Sequence, residues 1–365
     1  MMSAKKMLSA GFVAAALVLC GAAPSVALTP EEIFNYKGPD RQKLLEEGAK
    51  KEGELIWYST LNVDSGSRPV TEAFAKRYPF LKAEFIFSTA AQSMQRMQAE
   101  KRANSVRVDA VAAGNVDSLS GSGLLQQFWS PKLAEYHPDY IDKAGEWIGF
   151  RSGWVGIAWN TNLVKPAEAP KSWEDLINID PKFKGKLIWP NTAVSGGPRL
   201  ITHWRLMWGE DKALEFIKQL AKLDIRTSLG STNEVIDQTV LGEYAFSFAS
   251  AMHAVARLKA DGAPLDGANF EPALTKTSGF ALLKGSPHPH AAMLFMDWML
   301  DVDGGQKALV EAGYNPSHPK AEPLPELRWT VPALNNQKEL VVDAVKEAQM
   351  TAKSVELFKT YFRGE

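Results

Sequence analysis

The chain has 365 residues with 41 basic and 42 acidic side chains, which is more than one hydrophobic core usually serves, so two domains are expected. A formal net charge of −1 with no clustered basic run argues against a nucleic-acid partner and against polybasic attachment to a membrane. The single cysteine, Cys20, lies in the N-terminal segment, and the rest of the chain has no residue for disulfide or thiol chemistry.

That N-terminal segment reads as an export address. Lys5 and Lys6 give a short positive region, Met7 to Cys20 is an uncharged apolar run, and Ser25-Val26-Ala27 supplies small residues at a signal-peptidase site. Residues 1–27 are therefore expected to be a signal peptide, cleaved before Leu28, which places the mature protein in the periplasm. The apolar run is shorter than the roughly 20 residues a bilayer span requires. Leu19 precedes Cys20 where lipoprotein processing calls for a small residue, so lipidation is not expected. Removing Lys5 and Lys6 leaves 39 basic against 42 acidic side chains.

Beyond Ala27, apolar strand-like runs alternate with helix-like stretches, which is the pattern of an α/β protein. Pro30 to Lys51 is helix-like. Glu54 to Tyr58 reads as a first strand, Ser59 to Ser67 as a polar loop, and Val70 to Arg77 as a helix stopped by Pro79. Lys82 to Phe87 is the next strand, Ser88-Thr89 opens a helix through Ala103, and Asp109 to Ala113 is a third strand ended by Gly114-Asn115. In open α/β sheets, ligands sit beyond the carboxyl ends of the strands. Thr60, Ser88, Thr89 and Asn115 all fall in that zone. Serine and threonine at those places also serve as plain helix N-caps.

Gly153 to Asn160 is the most distinctive strand run. A proline-bearing linker follows, then Ser172 as a helix N-cap with Asp175 three residues on. Strand Leu187 to Trp189 leads through the turn Ser195-Gly196-Gly197-Pro198 into an aromatic helix with Trp204 and Trp208. Asp224 to Ser228, Tyr244 to Phe248 and Gly279 to Leu283 read as later strands, His290 to Leu300 as an apolar helix, and Glu339 to Phe362 has helical spacing. No internal repeat is present.

Three stretches together resemble a known family. Gly156-Ile157-Ala158-Trp159-Asn160-Thr161, Pro170-Lys171-Ser172-Trp173-Glu174-Asp175-Leu176 and Pro181-Lys182-Phe183-Lys184-Gly185-Lys186 are similar to family 1 extracellular solute-binding proteins of ABC importers. The similarity is strongest to the ferric-ion, thiamine and aminoethylphosphonate branch. Gly285-Ser286-Pro287-His288-Pro289-His290 and Gly304-Gly305-Gln306 fit the same family. The resemblance implies a two-lobed, type II periplasmic-binding-protein fold of class α/β. Each lobe would be a mixed sheet flanked by helices, with the ligand cleft between lobes. It places crossings near Gly153 and Gly279, giving one lobe from 28–152 plus 277–315 and a second from 153–276 plus 316–365. It also implies a small-molecule ligand, an ABC permease of the inner membrane as partner, a monomer, and no cofactor.

Ferric-ion members grip the metal with a pair of adjacent tyrosines after the last strand of the second lobe. The matching stretch here is Phe246-Ser247-Phe248-Ala249-Ser250-Ala251-Met252-His253, which has no such pair. The anion-binding turn of those members does have a match, in Ser195-Gly196-Gly197 with Arg199 one turn further. Backbone N–H groups and a hydroxyl there suit a carboxylate, phosphonate or phosphate. Asn233, Ser250 and His253 fall in segments that meet ligand in relatives, and Trp154 and Arg151 lie near the expected hinge. A small organic anion or zwitterion is therefore the expected ligand, with ferric ion as the alternative and no metal site assigned. His253 on a helix face and the aromatics in a core are the structural alternatives for those residues.

An enzyme is not expected. Gly-x-Ser-x-Gly, His-Glu-x-x-His and P-loop motifs do not occur, and Ser317-His318-Pro319-Lys320 matches a Ser-x-x-Lys spacing without its companion motifs. A receptor that docks on a membrane kinase would use the same cleft and is the rival of the importer reading.

Overall fold

The computed structural model describes residues 28–114, 116–192, 196–342 and 344–364. The expected signal peptide with Cys20, and the candidate residues Asn115 and Ser195, lie outside the described residues.

Twelve strands form one continuous hydrogen-bonded sheet. They are β1 (Glu54–Ser59), β2 (Lys82–Phe87), β3 (Ala110–Ala113), β4 (Leu125–Gln126), β5 (Trp147–Asn160), β6 (Leu187–Pro190), β7 (Arg226–Ser228), β8 (Phe246–Ala251), β9 (Leu265–Ala268), β10 (Ala273–Leu283), β11 (Asn315–Pro316) and β12 (Glu339–Leu340). The main order is β2-β1-β3-β10-β5-β8-β6-β7. β1, β2 and β3 are parallel to one another, as are β6, β7 and β8. Between these two groups run β5 and β10, antiparallel to each other and the longest strands of the fold.

The directions of these strands fix where a ligand can sit. β10 runs antiparallel to β3 at its far end, and β5 runs antiparallel to β8 at its own. The parallel strands of both groups therefore aim their carboxyl ends at the middle of the molecule, where β5 and β10 cross. The helices that follow these strands start there from both sides.

Two cores flank that crossing, and the fold is a two-lobed α/β structure. One core joins Trp57, Phe74, Phe150, Phe280 and Phe295, all buried. Phe295, from the apolar helix Pro289–Leu300, lies edge-on to Trp57 at 5.2 Å and to Phe74 at 4.8 Å between ring centroids. The other core joins Trp159, Trp173, Trp189, Trp204, Phe246, Phe248 and Phe358. Phe358 belongs to the C-terminal helix Ala344–Phe358, and its ring lies tilted against Trp189 at 5.0 Å between centroids.

Most elements lie where the apolar pattern places them, and the exceptions have local causes. β5 begins at Trp147 rather than Gly153, because Gly149 and Arg151 interrupt the apolar run while the backbone continues to pair with β10 and β11. β10 likewise begins at Ala273 rather than Gly279. Its polar stretch Thr275–Ser278 is the part that pairs with β5 across the middle of the molecule. The tail is helical only from Ala344, since Glu339 and Leu340 pair with the start of β10 as β12. The Ser172 hydroxyl accepts from Asp175 N at 3.1 Å as expected, while the short helix Glu174–Asn178 itself has Trp173 at its N-cap.

Candidate functional site

In β5 and β10, side chains alternate between two faces, and directly paired residues share a face. Arg151 pairs with Ser278, Gly153 with Lys276 and Val155 with Leu274, so these positions lie on one face. Ser152 with Thr277 and Trp154 with Thr275 lie on the other.

On the first face, at the carboxyl ends of the parallel strands, is a cavity of about 70 Å³ lined by Arg151, Gly153, Thr232, Ala249, Ala251, His253 and Ser278, with backbone neighbours. Arg151 dominates it. Its guanidinium lies over the Tyr314 ring at 4.9 Å, its Nε is shut off from solvent without a hydrogen-bond acceptor, and among the described residues it has no carboxylate partner. Burial pushes its pKa below the usual arginine value. A half-buried positive charge left with only an aromatic face gains when something anionic joins it. Tyr314 is fixed by accepting from Asn62 N at 3.1 Å, and its ring lies 6.0 Å from that of His253. The helix Met252–Ala260 starts at this cavity with no side-chain cap on its N-terminus, leaving backbone N–H groups for an anion.

The structure distributes the other residues read from sequence as follows. His253 lines the cavity beside Arg151. Thr60 donates to Ala112 O at 3.2 Å, bracing the end of β1 against β3. Ser88 is buried against Ser93, and Ser250 is buried against Ser247 at 2.9 Å. Thr89 is the N-cap of the helix Ala90–Arg102, in a capping box with Gln92. Asn233 is exposed on the helix Thr232–Val240, and its neighbour Thr232 faces the cavity instead. Trp154 borders the cavity, but its indole Nε1 donates to Glu339 Oε2 at 3.2 Å, which also accepts from Thr275 on the opposite face.

Gly196 stands before the helix Gly197–Trp208 because a Cβ there would come within 2.1 Å of Pro190 O, and a Cβ on Gly197 would meet the Phe358 ring at 2.2 Å. This turn presses directly on the end of β6. Arg199 follows on the same helix, where its guanidinium makes two hydrogen bonds to Glu347 of the C-terminal helix. His203 Nε2 lies 3.1 Å from the same carboxylate. Burial alone would raise the pKa of Glu347, but His203 and Arg199 hold it down to about 2. Burial lowers that of His203. Asp117, from the turn after β3, approaches this cluster from the other lobe. Burial raises its pKa, with Arg199 opposing and Glu347 adding to the rise.

Sequence reasoning placed Arg151 near the hinge but missed Tyr314, Thr232, Ser278 and Glu347. Gly313-Tyr314-Asn315-Pro316 is the one local signal among these, an aromatic in a glycine-proline turn. Glu347 lies in a helix whose docking site is remote in sequence.

Residues 109–336 match the family described as bacterial extracellular solute-binding protein. The chain belongs to that family. This solute-binding protein is 28% identical over 283 residues to an uncharacterized protein of Haemophilus influenzae, a match spanning 71% of this chain and 76% of the relative. Among solved structures it is similar to the FutA protein of Trichodesmium in complex with iron and citrate, with a TM-score of 0.70, 20% identity and coverage of 85% of this chain and 99% of that one. It is equally similar in fold to the periplasmic binding protein AfuA from Actinobacillus pleuropneumoniae with fructose-6-phosphate bound. There the TM-score is 0.70, the identity 22%, and the coverage again 85% and 99%. Among the described residues of this solute-binding protein, no helix is long and apolar enough to cross a membrane.

Proposed function

We propose that this solute-binding protein is the periplasmic component of an ABC importer and carries a small organic anion or zwitterion, seating its acidic group on Arg151. The observation that carries the reading is the Arg151 guanidinium, half-buried over Tyr314 at the crossing strands without an anionic partner among the described residues. A cavity of about 70 Å³ suits a carboxylate, phosphonate or phosphate headgroup rather than a whole ligand, since one water occupies roughly 30 Å³ of liquid. The planar guanidinium can hold such a group through two parallel hydrogen bonds. The uncapped helix start at Met252 and the side chains of Thr232, Ser278 and His253 add donors around it. The remainder of the ligand would lie between the lobes, near Thr60, Ser88, Thr89, Asn115 and the turn Ser195-Gly196-Gly197. Ligand contacts made by both lobes would favour the closed form over the open one, which the permease then reads.

In this reading the lobes comprise 28–152 plus 277–315 and 153–276 plus 316–365, joined by β5 and β10, and the signal peptide 1–27 directs export. The fructose-6-phosphate bound by AfuA carries a phosphate and supports the anion class, while FutA holds iron together with the carboxylates of citrate, which keeps ferric ion as the alternative.

The test is titration calorimetry on the mature protein with carboxylates, phosphonates, phosphate esters, thiamine and ferric citrate. The expected result is one anionic class that binds the parent chain and loses at least about a hundredfold in affinity in Arg151→Ala, roughly 2.7 kcal/mol. Binding of no anion in the panel, or an anion bound equally by Arg151→Ala, would overturn the assignment. A visible charge-transfer band on adding ferric salts would establish the iron reading instead.

A further inference from the structure

The opposite face of the crossing strands borders a much larger cavity, of about 780 Å³. Its walls come from three stretches remote in sequence: Glu135 to Tyr140, the β5 residues Ser152 and Trp154, and the returning segment between Pro316 and Val341. The volume lies within the range of small-molecule sites, about 300–1,000 Å³. We propose that it is a second binding site, for an organic cation made of an ammonium group on an aromatic or aliphatic body.

Two independent observations carry the proposal. The first is charge. Glu135, Asp139, Glu322 and Glu339 line the cavity together with His137 and His318, and among the described residues no lysine or arginine does. Glu135 and Glu322 are neutralised from outside by Lys320 at 3.0 Å and by Arg328. Glu339 is not so paired. Among the described residues its carboxylate accepts only from the neutral donors Trp154 Nε1 at 3.2 Å and Thr275 Oγ1 at 2.8 Å. A carboxylate set in a cavity wall and held by neutral donors is ready for a cation.

The second is shape and surface. Tyr136, Tyr140, Trp154 and Val331 supply an apolar and aromatic lining against which a cationic body packs well. The crossing strands thus present a positive group on one face and a negative group on the other.

The site is tested with three probes that share one body and differ in charge: phenethylamine, phenylethanol and phenylacetate. Binding to the mature protein is followed by calorimetry and by the fluorescence of the tryptophans, one of which, Trp154, is in the wall. Phenethylamine is expected to bind saturably and at least about tenfold tighter than either of the others. Glu339→Gln, which keeps an oxygen for Trp154 and Thr275, is expected to remove that preference. Ala333→Trp, from an exposed position that lines the cavity, is expected to fill it and abolish binding. Arg151→Ala, on the other face, is expected to leave phenethylamine binding unchanged, which separates this site from the anion cleft. Absence of saturable binding at millimolar phenethylamine would overturn the proposal. So would equal binding of phenylacetate, or binding insensitive to both cavity variants.

Discussion

Arg199 and Glu347 are 148 residues apart in sequence, yet their side chains meet in two parallel hydrogen bonds, Nε to Oε1 at 2.6 Å and Nη2 to Oε2 at 2.9 Å. Both side chains are nearly buried, and His203 shares the same carboxylate. The pair pins the C-terminal helix to the helix that follows the Gly196 turn.

Removing Glu347 leaves a buried guanidinium without its partner. Glu347→Gln is expected to lower stability by about 3 kcal/mol, measured by urea unfolding at neutral pH. The acid response has a definite sign. Glu347 is depressed from 4.5 to about 2, so its contribution is complete above pH 4.5 and is lost as pH falls from there towards 2. His203 is also depressed, by burial, so its neutral form favours folding above its usual value of 6.5, and that contribution is lost as pH falls. Asp117 is raised and acts the opposite way, adding stability at acid pH that is lost as pH rises through its own titration. The parent is therefore expected to weaken from pH 6.5 downward and more steeply below 4.5, with the lower limb flattened in Glu347→Gln. A variant as acid-sensitive as the parent below pH 4.5 would contradict the assignment.

Arg151 is expected to behave in the reverse manner. Its charge is half-buried without an anionic partner among the described residues, so truncation removes part of a desolvation cost along with a contact to Tyr314. Ligand-free Arg151→Ala is expected to match the parent to within about 1 kcal/mol or exceed it, while ligand-induced thermal stabilisation disappears. A large loss of stability in the ligand-free variant would show that Arg151 is structural.

Gln306 is a buried staple. Its Nε2 donates to Phe150 O at 2.9 Å and to Met299 O at 3.0 Å, while its Oε1 accepts from Ser317 N at 3.0 Å and His318 N at 3.1 Å. Gln306→Leu is close in volume but leaves four backbone groups unpaired. A loss of about 4 kcal/mol is expected, since each orphaned group costs about 1–3 kcal/mol and relaxation recovers part. Calorimetric unfolding of the two proteins checks it, and a loss below about 1 kcal/mol would mean that water replaces the side chain.

Gly196 lies where backbone crowds backbone. A Cβ there would come within 2.1 Å of Pro190 O and 2.7 Å of Thr192 N, so the end of β6 must move. Gly196→Ala is expected to destabilise by about 2 kcal/mol or more, whereas Gly262→Ala, at a φ of +86 with open space around it, meets no neighbour and suffers only backbone strain of roughly 1–2 kcal/mol. Thermal midpoints rank the two, and the reverse order would refute the crowding.

The strand ends were legible in the sequence because they rest on local pattern, whereas the crossing was implied only by the family resemblance. Ser88-Thr89 and Ser172 announce helix starts, and in the structure Thr89 caps its helix while the Ser172 hydroxyl accepts from Asp175 N. The role of each arginine was not legible. Arg199 follows a glycine turn that suits an anion, and only the docking of the C-terminal helix gives it Glu347 as a partner. Arg151 interrupts an apolar run, which hides the strand that carries it. Its isolation from carboxylates depends on what β8, β10 and Tyr314 bring to its side, and no local spacing encodes that.

The interleaved course of the chain also sets a schedule for its birth. Trp57 and Phe74 are made early, but the ring that closes their core is Phe295. Trp189 in turn waits for Phe358, almost the last residue described. A growing chain therefore leaves the first core open until Phe295 has been made, and the second until Phe358 follows.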